Sequence, residues 1–112
     1  MANALIDVQS TYLSLDSQYN MLLASCTTQD QRDALSALYS KALQNYQTTL
    51  NATLSEDDAQ VAALSAQLKD ANTQVVHATA QMGNIGKVIN DITTAVTLGA
   101  QLVAMAGPGP GH

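Results

Sequence analysis

The sequence predicts an all-α protein, an antiparallel helical hairpin or bundle, on three observations. Apolar residues recur at alternating spacings of three and four along most of the 112 residues, the period of helices packed along a seam. The apolar fraction is 46% and comes from Leu, Val, Ile, Met and Ala, with four Tyr and no Phe or Trp; that suits close-packed helices better than a sandwich or barrel. Helix-capping sequences stand at Thr28 and at Ser55, where the apolar repeats begin afresh. The length allows one modest core, so a single helical domain is expected over 1–106, followed by a flexible Gly/Pro tail over 107–112.

The first helix is expected over about 4–25. Leu5, Val8, Tyr12, Leu15, Tyr19, Leu22 and Cys26 are spaced by three and four, with Ile6, Leu13 and Leu23 widening the stripe. Tyr12 and Tyr19 lie on that seam, where their rings pack and their hydroxyls reach the helix edge. After a turn at Cys26-Thr27-Thr28, Thr28 and Gln31 form a capping box, and Asp30 stands where the helix dipole favours a carboxylate. The second helix is expected over about 29–52, with Leu35, Leu38, Ala42 or Leu43, Tyr46 and Leu50 on its apolar face. Asn51-Ala52-Thr53 matches a glycosylation sequon and reads as loop.

Residues 55–106 carry the strongest pattern. Ser55 is the expected N-cap, with Glu56, Asp57 and Asp58 over the first turn. Val61, Leu68, Val75, Met82, Ile89, Val96 and Val103 alternate with Leu64, Ala71, Ala78, Ile85, Ile92, Gly99 and Ala106, filling both seam positions of a heptad repeat. Unbroken phase predicts one continuous helix over 55–106, about 75 Å long at 1.5 Å per residue. The alternative is a four-helix bundle with a turn at 83–86, where Gly83, Asn84 and Gly86 together cost roughly 2 kcal/mol against alanine in a helix. Gly83 and Gly86 are the candidate hinge. One edge of the repeat changes character across this break: Gln60, Gln67, Gln74 and Gln81 are followed at the same spacing by Val88, Ala95 and Leu102. From Ala95 to Ala106 only Thr97 and Gln101 are polar.

The net charge is −5, with four Lys or Arg. No basic stripe exists to displace counterions, so a nucleic-acid partner is not expected. Charged residues make up 12% of the chain, about half the usual share, and Gln, Asn, Ser and Thr build the polar faces instead. Such weakly charged surfaces associate readily. Cys26 is the one cysteine; Leu23-Ala24-Ser25-Cys26 looks like a lipoprotein processing site, but the acidic, amphipathic stretch before it favours a small core residue at a helix end. His77 falls on the helix surface with no Cys, Asp or Glu three or four residues away, and His112 lies in the tail. Gly83-Asn84-Ile85-Gly86 follows helical sequence and lacks the Lys-Ser or Lys-Thr ending of a phosphate loop. No catalytic residue, cofactor or metal site is therefore expected, and the chain reads as a non-enzyme.

The expected function is that of a helical assembly or protein-interaction subunit. Its surface is expected on the 82–106 segment, at Met82, Ile85, Val88, Ile89, Ile92, Val96, Gly99, Leu102 and Val103, packed against a second copy or against partner helices. The alternative is a membrane-active protein whose C-terminal apolar helix inserts into lipid or lies on it, although Asn90 and Asp91 interrupt the apolar run. No secretory signal is read at the N-terminus, which points to the cytoplasm or to export by a route without a cleaved signal. In composition and layout the chain resembles flagellar and type III secretion filament subunits, which are Ala-, Gln-, Ser- and Thr-rich helical hairpins; no shared motif carries residues over.

Overall fold

The structure, a computed structural model, describes residues 4–50, 52–53, 58–80, 84–105 and 107–108. Helix α1 spans Ala4–Ser25, α2 Gln29–Thr49, α3 Ala59–Thr79 and α4 Ile85–Met105. Two-residue strands, β1 at Ala52–Thr53 and β2 at Gly107–Pro108, pair antiparallel, with Ala52 opposite Pro108 and Thr53 opposite Gly107. Gly107 and Pro108, expected in a flexible tail, thus tie the end of the bundle to the segment after α2. Ala106 and 109–112, including His112, lie outside the described residues.

Local chemistry explains the helix ends. Thr28 Oγ1 accepts the Gln31 N–H at 3.1 Å, as the capping box requires, while Gln31 Oε1 reaches one residue further back, to the Thr27 N–H at 2.8 Å. At the other end α2 stops at Thr49, three residues earlier than expected. Thr48 and Thr49 turn their hydroxyls onto the Gln44 and Tyr46 carbonyls. Helix α3 is capped by Asp58, whose Oδ1 accepts from the Gln60 and Val61 N–H groups at 2.8 and 3.2 Å. Ser55, the expected cap, lies outside the described residues.

The continuous helix expected over 55–106 is replaced by a hairpin of α3 and α4. One helix from Ala59 to Met105 would run about 70 Å at 1.5 Å per residue, beyond the molecule's longest dimension of 44 Å. The all-α bundle is therefore the four-helix form. Asn84 caps α4, its Oδ1 accepting the Lys87 N–H at 3.2 Å and its carbonyl the Val88 N–H at 3.2 Å. Gly86 is the second residue of α4, and a Cβ there would meet Asn84 Oδ1 at an ordinary 3.8 Å. Gly83 and Met82 lie outside the described residues.

The reason for the fold-back is in the buried faces. Among α3 seam residues, Val61, Leu68, Ala71, Val75 and Ala78 are buried, joined by Ser65 and Thr79 on one flank. In α4 the flank changes: Ile85, Ile92, Gly99 and Val96 are joined by Val88, Ala95 and Leu102. Those three occupy the edge that holds exposed Gln60, Gln67 and Gln74 in α3. At 100° per residue the mean direction of the buried face differs by roughly 130° between the two helices. A straight helix would aim its two halves at different neighbours, whereas a hairpin directs both into one core.

Contacts across the bundle give its directions. Tyr12 stacks on Tyr46 and Tyr19 on Tyr39, so α1 and α2 are antiparallel; Asp7 meets Ser65 and Lys69 while Thr11 meets Asn72, so α1 and α3 are parallel. The topology is up-down-up-down. Helices α1 and α4 each pack against all three others, and α2 and α3 lie at opposite corners.

Candidate interaction surface

The α4 residues expected to meet a partner face the chain's own helices. Ile85, Val88, Ile92, Val96, Gly99 and Leu102 are buried, Ile89 and Val103 are packed partly against the core, and Met82 lies outside the described residues. Close approach explains Gly99. A Cβ there would stand 3.4 Å from Asn45 Nδ2 and 3.7 Å from Val8 Cγ1, and Asn45, itself buried, uses that Nδ2 to donate to the Val96 carbonyl at 3.3 Å. The small residue lets α1 and α2 reach the α4 backbone. Helix α4 is long and apolar enough, by length and composition, to cross a membrane, and 33% of that stretch is buried in the bundle.

Helix α1 meets α3 through polar chemistry that the periodicity did not flag. Asp7 is only 8% exposed. Its Oδ2 accepts from Ser65 Oγ at 2.7 Å and from Lys69 Nζ at 3.1 Å, and its carbonyl accepts from Asn72 Nδ2 at 3.1 Å. Thr11 Oγ1 closes the group, 2.7 Å from Asn72 Oδ1. A slip of one residue between α1 and α3 would strand a buried carboxylate without donors, so this cluster fixes their register. Among the described residues every buried side-chain polar atom has a partner.

Between α1 and α2 the chain's four tyrosines form one ladder, in the order Tyr46, Tyr12, Tyr39, Tyr19. Successive ring centroids are 4.9, 5.7 and 4.3 Å apart, within the range of favourable aromatic pairs. The Tyr39 hydroxyl donates to Asp16 Oδ1 at 2.5 Å and lies 3.5 Å from the Tyr12 hydroxyl. The bond to Asp16 first, then the contact with Tyr12 and partial desolvation, hold the Tyr39 phenol well above the usual tyrosine range. Tyr12 and Tyr19 pack as expected; Tyr39 also lies on the α2 stripe, four residues after Leu35 and three before Ala42, and its bond to the exposed Asp16 of α1 depends on the pairing of the two helices.

The remaining chemistry-bearing residues are dispersed. Cys26 is buried at the end of α1, its thiol directed at the Leu22 carbonyl, as expected of a small core residue. His77 is exposed near the C-terminus of α3, beside a cleft of about 250 Å³ lined by Gln74, His77, Ala78, Asn84, Lys87 and Val88. Lys87, on the rim, pairs with Asp91 at 3.0 Å on an exposed helix face.

Of the large apolar side chains left exposed, Leu50 follows α2, Val76 lies on α3 and the other three share α1. Ile6, Leu13 and Met21 are 54%, 53% and 50% exposed. Ile6 and Leu13 had been expected to widen the seam. Each lies two residues before a core residue, Val8 and Leu15, and two residues are 200° of helix turn; they occupy the opposite face. Ser10, Ser17 and Ala24 complete this outer stripe at spacings of three, four and seven. That spacing was the available signal. Comparison with protein-family models, with curated proteins and with solved structures finds no match to this chain in any of the three.

Proposed function

We propose that the chain is a non-catalytic helical interaction module that offers the outer face of α1 to a helical partner. One observation carries this reading: three large apolar side chains, Ile6, Leu13 and Met21, stand half-exposed in line on a single helix face, in a protein whose α4 apolar face is occupied by its own bundle. A row of exposed apolar residues on one helix face is a feature of protein-interaction sites. The reading moves the expected surface from the 82–106 segment to α1. Its test is a photo-crosslinking residue placed at Leu13 and, separately, at exposed Thr97 on α4, in cells that express the protein. Discrete adducts from Leu13 and none from Thr97 support the reading; no adducts from either position, or the same adducts from both, overturn it.

A second reading is membrane action, favoured by the length and apolarity of α4. Insertion would require α4 to leave α1, α2 and α3, so it predicts leakage of dye from liposomes accompanied by loss of the α3–α4 hairpin. Absence of binding to neutral and anionic vesicles alike would remove it.

A further inference from the structure

We propose that Tyr39 is the chain's electron donor toward diffusible one-electron oxidants, such as organic peroxyl radicals, with Asp16 taking its proton. The inference goes beyond the interaction reading and does not depend on it, since the tyrosine ladder lies between α1 and α2 and not on the outer stripe. A phenol gives up an electron readily at neutral pH when its proton leaves as well, because the oxidised phenol is a strong acid. The tyrosine that oxidises first is therefore the one with a proton acceptor already in place. Tyr39 has one. Its hydroxyl donates to Asp16 Oδ1 at 2.5 Å, the length of a charge-assisted bond, and Asp16 is exposed, so water carries the proton onward. Among the described residues no other tyrosine hydroxyl donates to a carboxylate.

Composition and packing concentrate this chemistry at Tyr39. The chain has no tryptophan, the other readily oxidised ring, and all four of its tyrosines stand in the ladder. An electron vacancy on Tyr12 or Tyr19 is one ring contact from Tyr39, and one on Tyr46 is two contacts away. It settles on Tyr39, where loss of the proton to Asp16 traps it as a neutral radical. The sulfur groups compete poorly: Cys26 is buried, and a methionine thioether oxidises by taking up an oxygen atom. The step balances. One electron leaves the Tyr39 ring and reduces the peroxyl radical to a peroxide anion, while the phenolic proton crosses to Asp16 Oδ1. Asp16 releases that proton to water and the peroxide anion takes one up. The products are a hydroperoxide and a neutral Tyr39 radical, with Asp16 again a carboxylate.

Flash photolysis with a ruthenium tris-bipyridine complex and a sacrificial quencher tests this at neutral pH, the trivalent complex serving as the one-electron oxidant. The phenoxyl radical is followed by its absorbance. Tyr39→Phe and Asp16→Asn should each slow its appearance by about 100-fold, the lower end of what a positioned proton acceptor supplies, with unchanged circular-dichroism spectra. Tyr19→Phe, which removes a ladder hydroxyl and leaves the Tyr39–Asp16 bond in place, should react at close to the wild-type rate. Added imidazole, an external proton acceptor, should accelerate Asp16→Asn more than wild type, a rescue that a merely structural carboxylate would not show. The electron paramagnetic resonance spectrum of the frozen wild-type radical should match that of a variant carrying Tyr12→Phe, Tyr19→Phe and Tyr46→Phe together, in which Tyr39 is the sole tyrosine. A wild-type rate in Tyr39→Phe or in Asp16→Asn, equal acceleration of Asp16→Asn and wild type by imidazole, or a wild-type spectrum unlike that of the sole-Tyr39 variant overturns the proposal.

Discussion

Helices α1 and α4 are nearly equal in length and occupy equivalent places, each packed against the other three, yet they use their apolar residues in opposite ways. Helix α4 gathers its large aliphatic residues on one broad inward face and leaves Asn90, Thr93, Thr94 and Thr97 outside. Helix α1 turns Asp7 and Thr11 inward along with Val8, Leu15 and Leu22, and leaves Ile6, Leu13 and Met21 outside. What decides is which face meets complementary groups. Asp7 and Thr11 find Ser65, Lys69 and Asn72 on α3, and satisfying them fixes the rotation of α1, outer stripe included.

The sharpest way to break the comparison is to place one charge on each helix. Ile92→Asp in α4 removes a side chain that is 1% exposed and buries an unpaired carboxylate. The expected loss is about 5 kcal/mol or more, comparable to the whole stability of a small domain, so the variant should be unfolded by circular dichroism. Leu13→Asp in α1 should shift the denaturant midpoint by no more than about 0.5 kcal/mol. Similar losses in the two variants would mean that α1 has no free outer face.

Next in size is the close approach at Gly99. Gly99→Val should cost about 1–3 kcal/mol, because its branches would push Asn45 from the Val96 carbonyl and Val8 from the α4 backbone. Gly86→Ala, where the added methyl meets only Asn84 at 3.8 Å, should instead raise stability by about 0.5–1 kcal/mol. Thermal and urea unfolding of the pair checks both signs. On the α1 side, Asp7→Ala leaves the Ser65 hydroxyl and the Lys69 ammonium without the carboxylate they bond, while Asn72 keeps the backbone carbonyl, and should cost about 1–3 kcal/mol. Lys69, whose side chain is 50% exposed, should lose less than about 1 kcal/mol on replacement by Ala.

The smallest effect concerns the tyrosine ladder. Because the folded Tyr39 pKa is raised, its contribution to stability is fully present below the ordinary tyrosine range and is lost as pH rises through the folded value. Asp16→Asn removes the carboxylate that accepts the Tyr39 proton, so Tyr39 should ionise at lower pH. An absorbance titration of phenolate, run on wild type and variant, reads this directly.

Much of the architecture was legible. The bounds of α1, the start of α2 and the Thr28 cap all follow from spacing and capping chemistry, which act within a turn or two. The fold-back was harder to read, because the seam positions keep their phase across the break. Its signature was on the edge, where the glutamine row gives way to Val88, Ala95 and Leu102. That change suggested a surface for another molecule, whereas it records a rotation of the inward face once α4 folds against α3. The outer stripe of α1 was hidden by grouping Ile6 and Leu13 with residues on the far side of the helix.

By itself the sequence determined that there are helices, nearly where each one lies, and that one face of each is apolar, because caps and a periodicity near 3.6 residues are local properties of the chain. Only the tertiary structure decided that the longest repeat doubles back, that Asp7 is an inward-facing register group, and that the exposed apolar stripe belongs to α1 rather than α4. Those outcomes depend on partners more than 50 residues apart, such as Asp7 with Ser65 and Asn45 with Val96. Burial is set by the joint satisfaction of four helices, which no single helix encodes.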